Sequence, residues 1–167
     1  GGIRVFKALN CNVSQNKVIR PGSNPLILEE TSGCTISFNN VVSNCWYGLY
    51  VYRSFFNVIS FNSITGALTY GFYLAYSQNN TVISNNVTDC IGSGLIIAGS
   101  SYNKFRNNTM AKNNGNFGIE FQGFNPIGWN LNDIDASNTV DGKPICYWVS
   151  ERNRTVPIDA GCVVLIN

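Results

Sequence analysis

"NNVVSNCWYGLYVYRSFFNVISF" (residues 39–61) runs without a break into "NSITGALTYGFYLAYSQNNTVIS" (residues 62–84). The two stretches have the same length and share their landmarks. Each opens on Asn (Asn39, Asn62) and has a β-branched residue two positions on (Val41, Ile64). Each then carries a Tyr-Gly pair (Tyr47-Gly48, Tyr70-Gly71), a second Asn (Asn57, Asn80) and an apolar residue two positions after that (Ile59, Val82). Self-similarity at a fixed period is the signature of a stacked repeat.

The period extends in both directions. Asn16, Asn39, Asn62, Asn85 and Asn108 lie 23 residues apart, with Val18, Val41, Ile64, Val87 and Met110 two positions later and Val13, Ile36, Ile59, Val82 and Phe105 three positions earlier. With one extra residue, the series is expected to continue as Trp129, Asn132 and Ile134. A second column holds Asn57, Asn80 and Asn103, with Cys11 and Cys34 in the same column. Each repeat also carries a short alternating stretch: "PLIL" from Pro25, "GLYV" from Gly48, "GFYL" from Gly71, "GLII" from Gly94 and "GIEF" from Gly118. The period-2 alternation is that of a strand with one buried face. It predicts two inward columns, Leu26, Leu49, Phe72, Leu95, Ile119 and Leu28, Val51, Leu74, Ile97, Phe121.

A helical solenoid of this period would need a 3.6-residue pattern, and the short β-branched runs broken by Asn, Gly and Ser do not supply it. A 23-residue unit suits three short strands and three turns. The predicted fold is all-β, a parallel β-helix of five to seven coils. It is read as right-handed, because the hexapeptide coils of left-handed β-helices are absent. The Asn columns are expected at the turns, where Asn tolerates left-handed backbone and its amides stack into ladders at the ~4.8 Å coil spacing. Regular coils are expected over residues 1–135. Residues 136–167 read as irregular final coils of the same domain, because Pro144 falls on an inward strand position. "ICYW" and "CVVLI" are expected there as paired strands.

The coil resembles the right-handed β-helix repeats of the NosD-like family, also grouped as carbohydrate-binding and sugar-hydrolase repeats, over about residues 1–135. The stretch "NTVDGKPICYWVSERNRTVPIDAGCVVLIN" looks like a segment of archaeal surface proteins of this type. The resemblance implies the fold. It does not imply one activity, because a fold hosts many. Some NosD-like proteins are associated with copper, but this chain has no histidine and no Cys-x-x-Cys, so no metal and no cofactor is expected.

Charged residues make up only 12% of the chain, net charge is +2, and no Lys/Arg cluster occurs, so no nucleic-acid partner is expected. No apolar run reaches the 18 or so residues of a membrane-spanning helix. Six cysteines and five sequons, at Asn12, Asn79, Asn86, Asn107 and Asn153, point to a secreted or cell-surface glycoprotein. Cys11 and Cys34, neighbours in one column, are expected to form a disulfide, and Cys146 and Cys162 a second. Cys45, in the column of Leu68 and Ile91, is expected to be a small buried residue.

Many β-helix proteins cleave polysaccharides, and hydrolysis needs two carboxylates across the bond. Asp133 and Asp135, flanking inward Ile134, form the only close acidic pair. The histidine and paired aspartates of polygalacturonases are missing, so no catalytic residue is assigned. The feature that stands out is aromatic. Tyr50, Tyr52, Tyr73 and Tyr76 lie at outward or terminal positions of the third strand, and Tyr47 and Tyr70 share a column before the glycines. Six tyrosines then cover two adjacent coils. Such a stripe fits a glycan contact, a protein contact, or the ordinary preference of Tyr for half-exposed sheet.

"GIRV" (from Gly2) sits in register with the later third strands and is expected to close a coil that begins outside this chain. "CVVLIN" is expected to lead into another coil. Uncapped coil ends invite self-association. The function expected is therefore a structural or adhesive extracellular β-helix without catalytic activity. It would be a surface-protein segment or a subunit stacking head-to-tail into a filament. The alternative is a carbohydrate-binding or polysaccharide-cleaving module that uses the tyrosine stripe.

Overall fold

Each 23-residue repeat closes one turn of a parallel β-helix. The computed structural model describes residues 1–19, 22–120 and 131–166. The first turn holds β1 (Ile3–Phe6), β2 (Asn12–Ser14) and β3 (Lys17–Ile19), and the second β4 (Leu26–Glu29), β5 (Thr35–Ser37) and β6 (Asn40–Val42). The third holds β7 (Tyr47–Tyr52), β8 (Val58–Ser60) and β9 (Ser63–Thr65). The fourth holds β10 (Tyr70–Ala75), β11 (Thr81–Ile83) and β12 (Asn86–Thr88). β13 (Ser93–Ala98), β14 (Lys104–Arg106) and β15 (Thr109–Ala111) follow, then β16 (Gly115–Glu120), β17 (Asp133–Ile134) and β18 (Thr139–Val140). Like strands stack into three sheets, the first in the order β1-β4-β7-β10-β13-β16. The register is the repeat itself: Leu26 pairs with Leu49, Leu49 with Phe72, and Phe72 with Leu95. These residues, with Ile36, Ile59, Val82 and Phe105 of the second sheet and Val41, Ile64, Val87 and Met110 of the third, fill the interior at 0–1% exposure. At β16 the predicted columns are corrected: Phe117, not Ile119, follows Leu95, and Ile119 follows Ile97. Phe121 and Trp129 lie outside the described residues.

The ladder asparagines are buried and satisfied by one another. Asn39, Asn62 and Asn85 each donate from Nδ2 to the Oδ1 of the next Asn at 2.9–3.0 Å, and each backbone N–H donates to the same oxygen. The left-handed backbone belongs to the residue before each ladder position, not to the ladder Asn. Gln15, Phe38, Phe61, Ser84 and Asn107 have φ of 55–59°. A hydroxyl ladder that the repeat did not suggest, Thr31-Ser54-Ser77-Ser100, runs buried along the corner after the long strands.

Two expectations are corrected after β16. Asn132 continues the Asn103 column and Asn138 continues the Asn108 column, at separations of 29 and 30 residues. Ile134 accordingly pairs with Phe105. The insertion is therefore longer than one residue, and it precedes the second sheet. Further on, Asp141 and Gly142 both have positive φ (48° and 78°), the geometry of a two-residue type I′ turn, and they reverse the chain into β19 (Lys143–Val149), antiparallel to β18. β20 (Cys162–Ile166) pairs parallel with β19, as expected for the two C-terminal strands.

The cysteines are also corrected: all six are free thiols. Cys11 and Cys34 do stack, but they take the place of ladder asparagines. The Cys34 sulfur accepts the Cys11 N–H at 3.3 Å, and each sulfur turns to the carbonyl two residues back. Cys162 pairs with Ile145 and Cys146 with Val163, so alternation puts the two thiols on opposite faces. Cys45 is half-buried at the surface, next to exposed Leu68 and Ile91.

Candidate functional site

The outer face of the first sheet carries the tyrosines, and a backbone irregularity puts them there. The ladder skips Gly48 and Gly71. A Cβ at Gly48 would collide with Ile64 Cγ2, and one at Gly71 with Val87 Cγ1, both atoms of the core. Each glycine and the residue after it therefore both face inward, as in a β-bulge. The strand has lost one step of alternation, so Tyr47, Tyr50 and Tyr52 all face outward on β7, with Tyr70 and Tyr73 beside them on β10.

The five rings form one cluster. Tyr47 stacks on Tyr50 (centroids 5.0 Å apart) and on Tyr73 (5.4 Å), and Tyr70 stacks on Tyr73 (4.8 Å). Tyr52 stacks on Tyr50 and meets Tyr76 edge-on, each at 5.8 Å. The ring faces are thus largely committed to each other. What the cluster offers a ligand is a comb of phenol edges, with ring faces only at its ends. Along the strand it spans about 16 Å at ~3.3 Å per residue.

Glu120 completes the cluster. It sits in register with Ala98, and Ala98 with Ala75. Over this column of small residues its carboxylate accepts the Tyr70 hydroxyl at 2.7 Å and the Tyr73 hydroxyl at 3.3 Å. The hydrogen bond to Glu120 and then burial push the Tyr70 phenol up to about 12, and burial pushes Tyr50 up to about 12 and Tyr73 upward as well. These three phenols are accordingly neutral at physiological pH. The signal for Glu120 was its outward place in the "GIEF" alternation.

A groove that sequence reasoning missed adjoins the cluster at Tyr76. It has a volume of about 460 Å³ and crosses the corners of successive coils, with Glu30, Arg53, Phe55, Tyr76 and Gln78 among its lining residues. Its signal was a further 23-residue column, Lys7, Glu30, Arg53, Tyr76 and Gly99, all at positive φ of 46–53°.

Most other acids are held by partners. Arg106 binds Asp133 at 2.5 Å and Asp135 at 2.9 Å, so the one close acidic pair is an ion-pair clamp around a guanidinium. Glu29 pairs with Arg4, Glu30 with Lys7 and Glu151 with Arg154. The sequon asparagines Asn12, Asn79, Asn86, Asn107 and Asn153 are all exposed, and none lies on the tyrosine-bearing sheet. Among the described residues no helix is long and apolar enough to cross a membrane.

Residues 1–146 match the family described as periplasmic copper-binding protein (NosD). No curated protein matches the chain. Among solved structures, it is similar to the periplasmic alginate epimerase AlgG, with 19% identity and a TM-score of 0.70 over 99% of this chain and 41% of that one. It is also similar to the enzymatically active domain of tailspike protein 2 of bacteriophage CBA120, with 13% identity and a TM-score of 0.50 over 97% of this chain and 32% of that one. Both likenesses show the fold, and the chain spans less than half of either protein. The copper in the family's description does not fit the residues here. The chain has no histidine and one methionine, and among the described residues no three His, Cys, Asp or Glu side chains come together. The shared coil and a match that runs through residue 146 place the assignment on the repeat itself: the chain belongs to the NosD family.

Proposed function

We propose that the chain is an adhesive, polysaccharide-binding β-helix that works outside the cytoplasm. The observation that carries this reading is the continuous surface on one sheet and its corner. A comb of phenol edges about three coils from the chain start passes through the Tyr52–Tyr76 contact into a groove with aromatic, amide and charged walls. Phenol hydroxyls hydrogen-bond sugar hydroxyls, and the aromatic walls cover the apolar faces of sugar rings. The periplasmic description of the family and the alginate named in the similar epimerase both favour this reading. Binding rather than bond cleavage is supported by the acids, since both members of the close pair Asp133–Asp135 are engaged by Arg106.

A binding screen against acidic and neutral polysaccharides tests it. Tyr50→Phe keeps the ring stack and removes one hydroxyl, and Tyr73→Ala opens the stack. The expected result is binding by the wild type, weakened severalfold by Tyr50→Phe and at least tenfold, about 1.4 kcal/mol, by Tyr73→Ala. Absence of binding, or binding that ignores both substitutions, overturns the reading. Release of shorter oligosaccharides in the same tubes would replace binding by cleavage.

A further inference from the structure

Resting on the polysaccharide reading, we propose that the groove around Arg53 is a subsite for a carboxylate-bearing sugar, so that the polymer bound is a polyuronate and not a neutral glycan.

The argument begins with the charges along this corner. Lys7, Glu30 and Arg53 occupy successive coils in one column. Glu30 is taken by Lys7 at 3.7 Å, and Glu29, one residue earlier, is taken by Arg4. Arg53 has no such partner. Among the described residues it makes no ion pair and no side-chain hydrogen bond, and its contact is with the Tyr52 ring, 5.0 Å from the guanidinium carbon. A guanidinium over an aromatic ring has its orientation fixed while its N–H donors stay available in its own plane. That fork matches a carboxylate, and the bond it forms is charge-assisted. With Glu30 neutralised by Lys7, the groove carries one uncompensated positive charge.

The rest of the lining suits the sugar that bears the carboxylate. Phe55 and Tyr76, 36% and 37% exposed, form apolar walls, and Gln78 adds an amide that both donates and accepts. The volume of about 460 Å³ lies in the range of small-ligand sites, about 300–1,000 Å³. The Tyr52–Tyr76 contact joins the groove to the phenol comb, so one chain can run over both. The comb contacts hydroxyls that every sugar has, while Arg53 contacts a group that only acidic sugars have.

Calorimetric titration at low salt compares hexamers of mannuronate, guluronate and galacturonate, each beside its carboxyl-reduced neutral counterpart. The wild type is expected to bind at least one acidic hexamer ten or more times as tightly as its reduced form. Arg53→Ala should remove that preference, lowering affinity for the acidic hexamer by a far larger factor than affinity for its reduced form. Arg53→Lys, which keeps the charge without the fork, should fall between. Tyr50→Phe should weaken both forms by the same factor. Arg53 is exposed, and an unchanged melting temperature shows that its variants are folded. A wild type with equal affinity for both forms, or an Arg53→Ala variant that keeps the preference, overturns the Arg53 subsite while the polysaccharide reading stands. A wild type that binds neither form overturns both.

Discussion

The Asn85 side chain donates to the carbonyls of Ile59 at 2.9 Å and Ile83 at 3.2 Å and to Asn108 Oδ1 at 3.0 Å, while its own oxygen accepts two bonds from Asn62. One amide thus ties three turns together in a dry interior. Asn85→Ala leaves several buried groups unpaired at ~1–3 kcal/mol each and should lower stability by about 3 kcal/mol or more in urea denaturation. A loss under 1 kcal/mol would mean that water replaces the amide. The tyrosines give a second prediction at this scale. Tyr50 and Tyr70 are raised to about 12 in the fold from an ordinary value near 10, so folding favours their neutral forms. Their contribution to stability is intact below about pH 10 and is lost as pH climbs toward 12. Absorbance at 295 nm should show this late ionisation. Glu120→Gln should move Tyr70 back toward 10 and leave Tyr50 late, because burial dominates the Tyr50 shift. The thiols give a third: alkylation in denaturant without reductant should add six groups, and four would mean a bridge. At this scale the columns were legible in the sequence, because a fixed period reports which residues are equivalent. It does not report backbone angle or side-chain rotamer. That is why the left-handed residue fell one place before the ladder Asn, and why Cys11 and Cys34 stack without bonding.

The long strands depend on their bulge glycines. A Cβ at Gly71 would meet Val87 Cγ1 and lie 2.8 Å from the Gly94 carbonyl oxygen. Gly71→Ala should therefore cost about 1–3 kcal/mol, as overpacking does, and should loosen the tyrosine cluster, since the bulge is what turns Tyr70 and Tyr73 to the same face. Near-UV circular dichroism would report a weakened tyrosine signal, and an unchanged spectrum with unchanged stability would contradict the bulge. The strands themselves could be read from alternation in "GLYV" and "GFYL". The bulge could not, because a glycine contributes no side chain to the pattern. Asp141-Gly142 is a hairpin signal in plain view, but the 23-residue register suggested a continued coil there. The turn chemistry prevailed, and the chain reversed into β19.

In the whole molecule, three ladders and the apolar columns of three sheets hold the stack together. The tyrosine stripe was legible because its members recur at the repeat period. The groove was not, because its walls come from corners of different coils and its character depends on which charges are already paired. Sequence showed Lys7, Glu30 and Arg53 as three charges, and only the structure shows two of them cancelling. The sequons leave the tyrosine sheet clear, so glycans at those positions would leave the tyrosine comb open. Hydrogen exchange read by mass spectrometry, with and without a bound acidic oligosaccharide, tests the central claim most directly. Binding should slow exchange in peptides covering residues 47–55 and 70–78 and leave those of the third sheet, around residues 63–65 and 86–88, unchanged. Protection confined to the third sheet, or none at saturating ligand, would contradict the account.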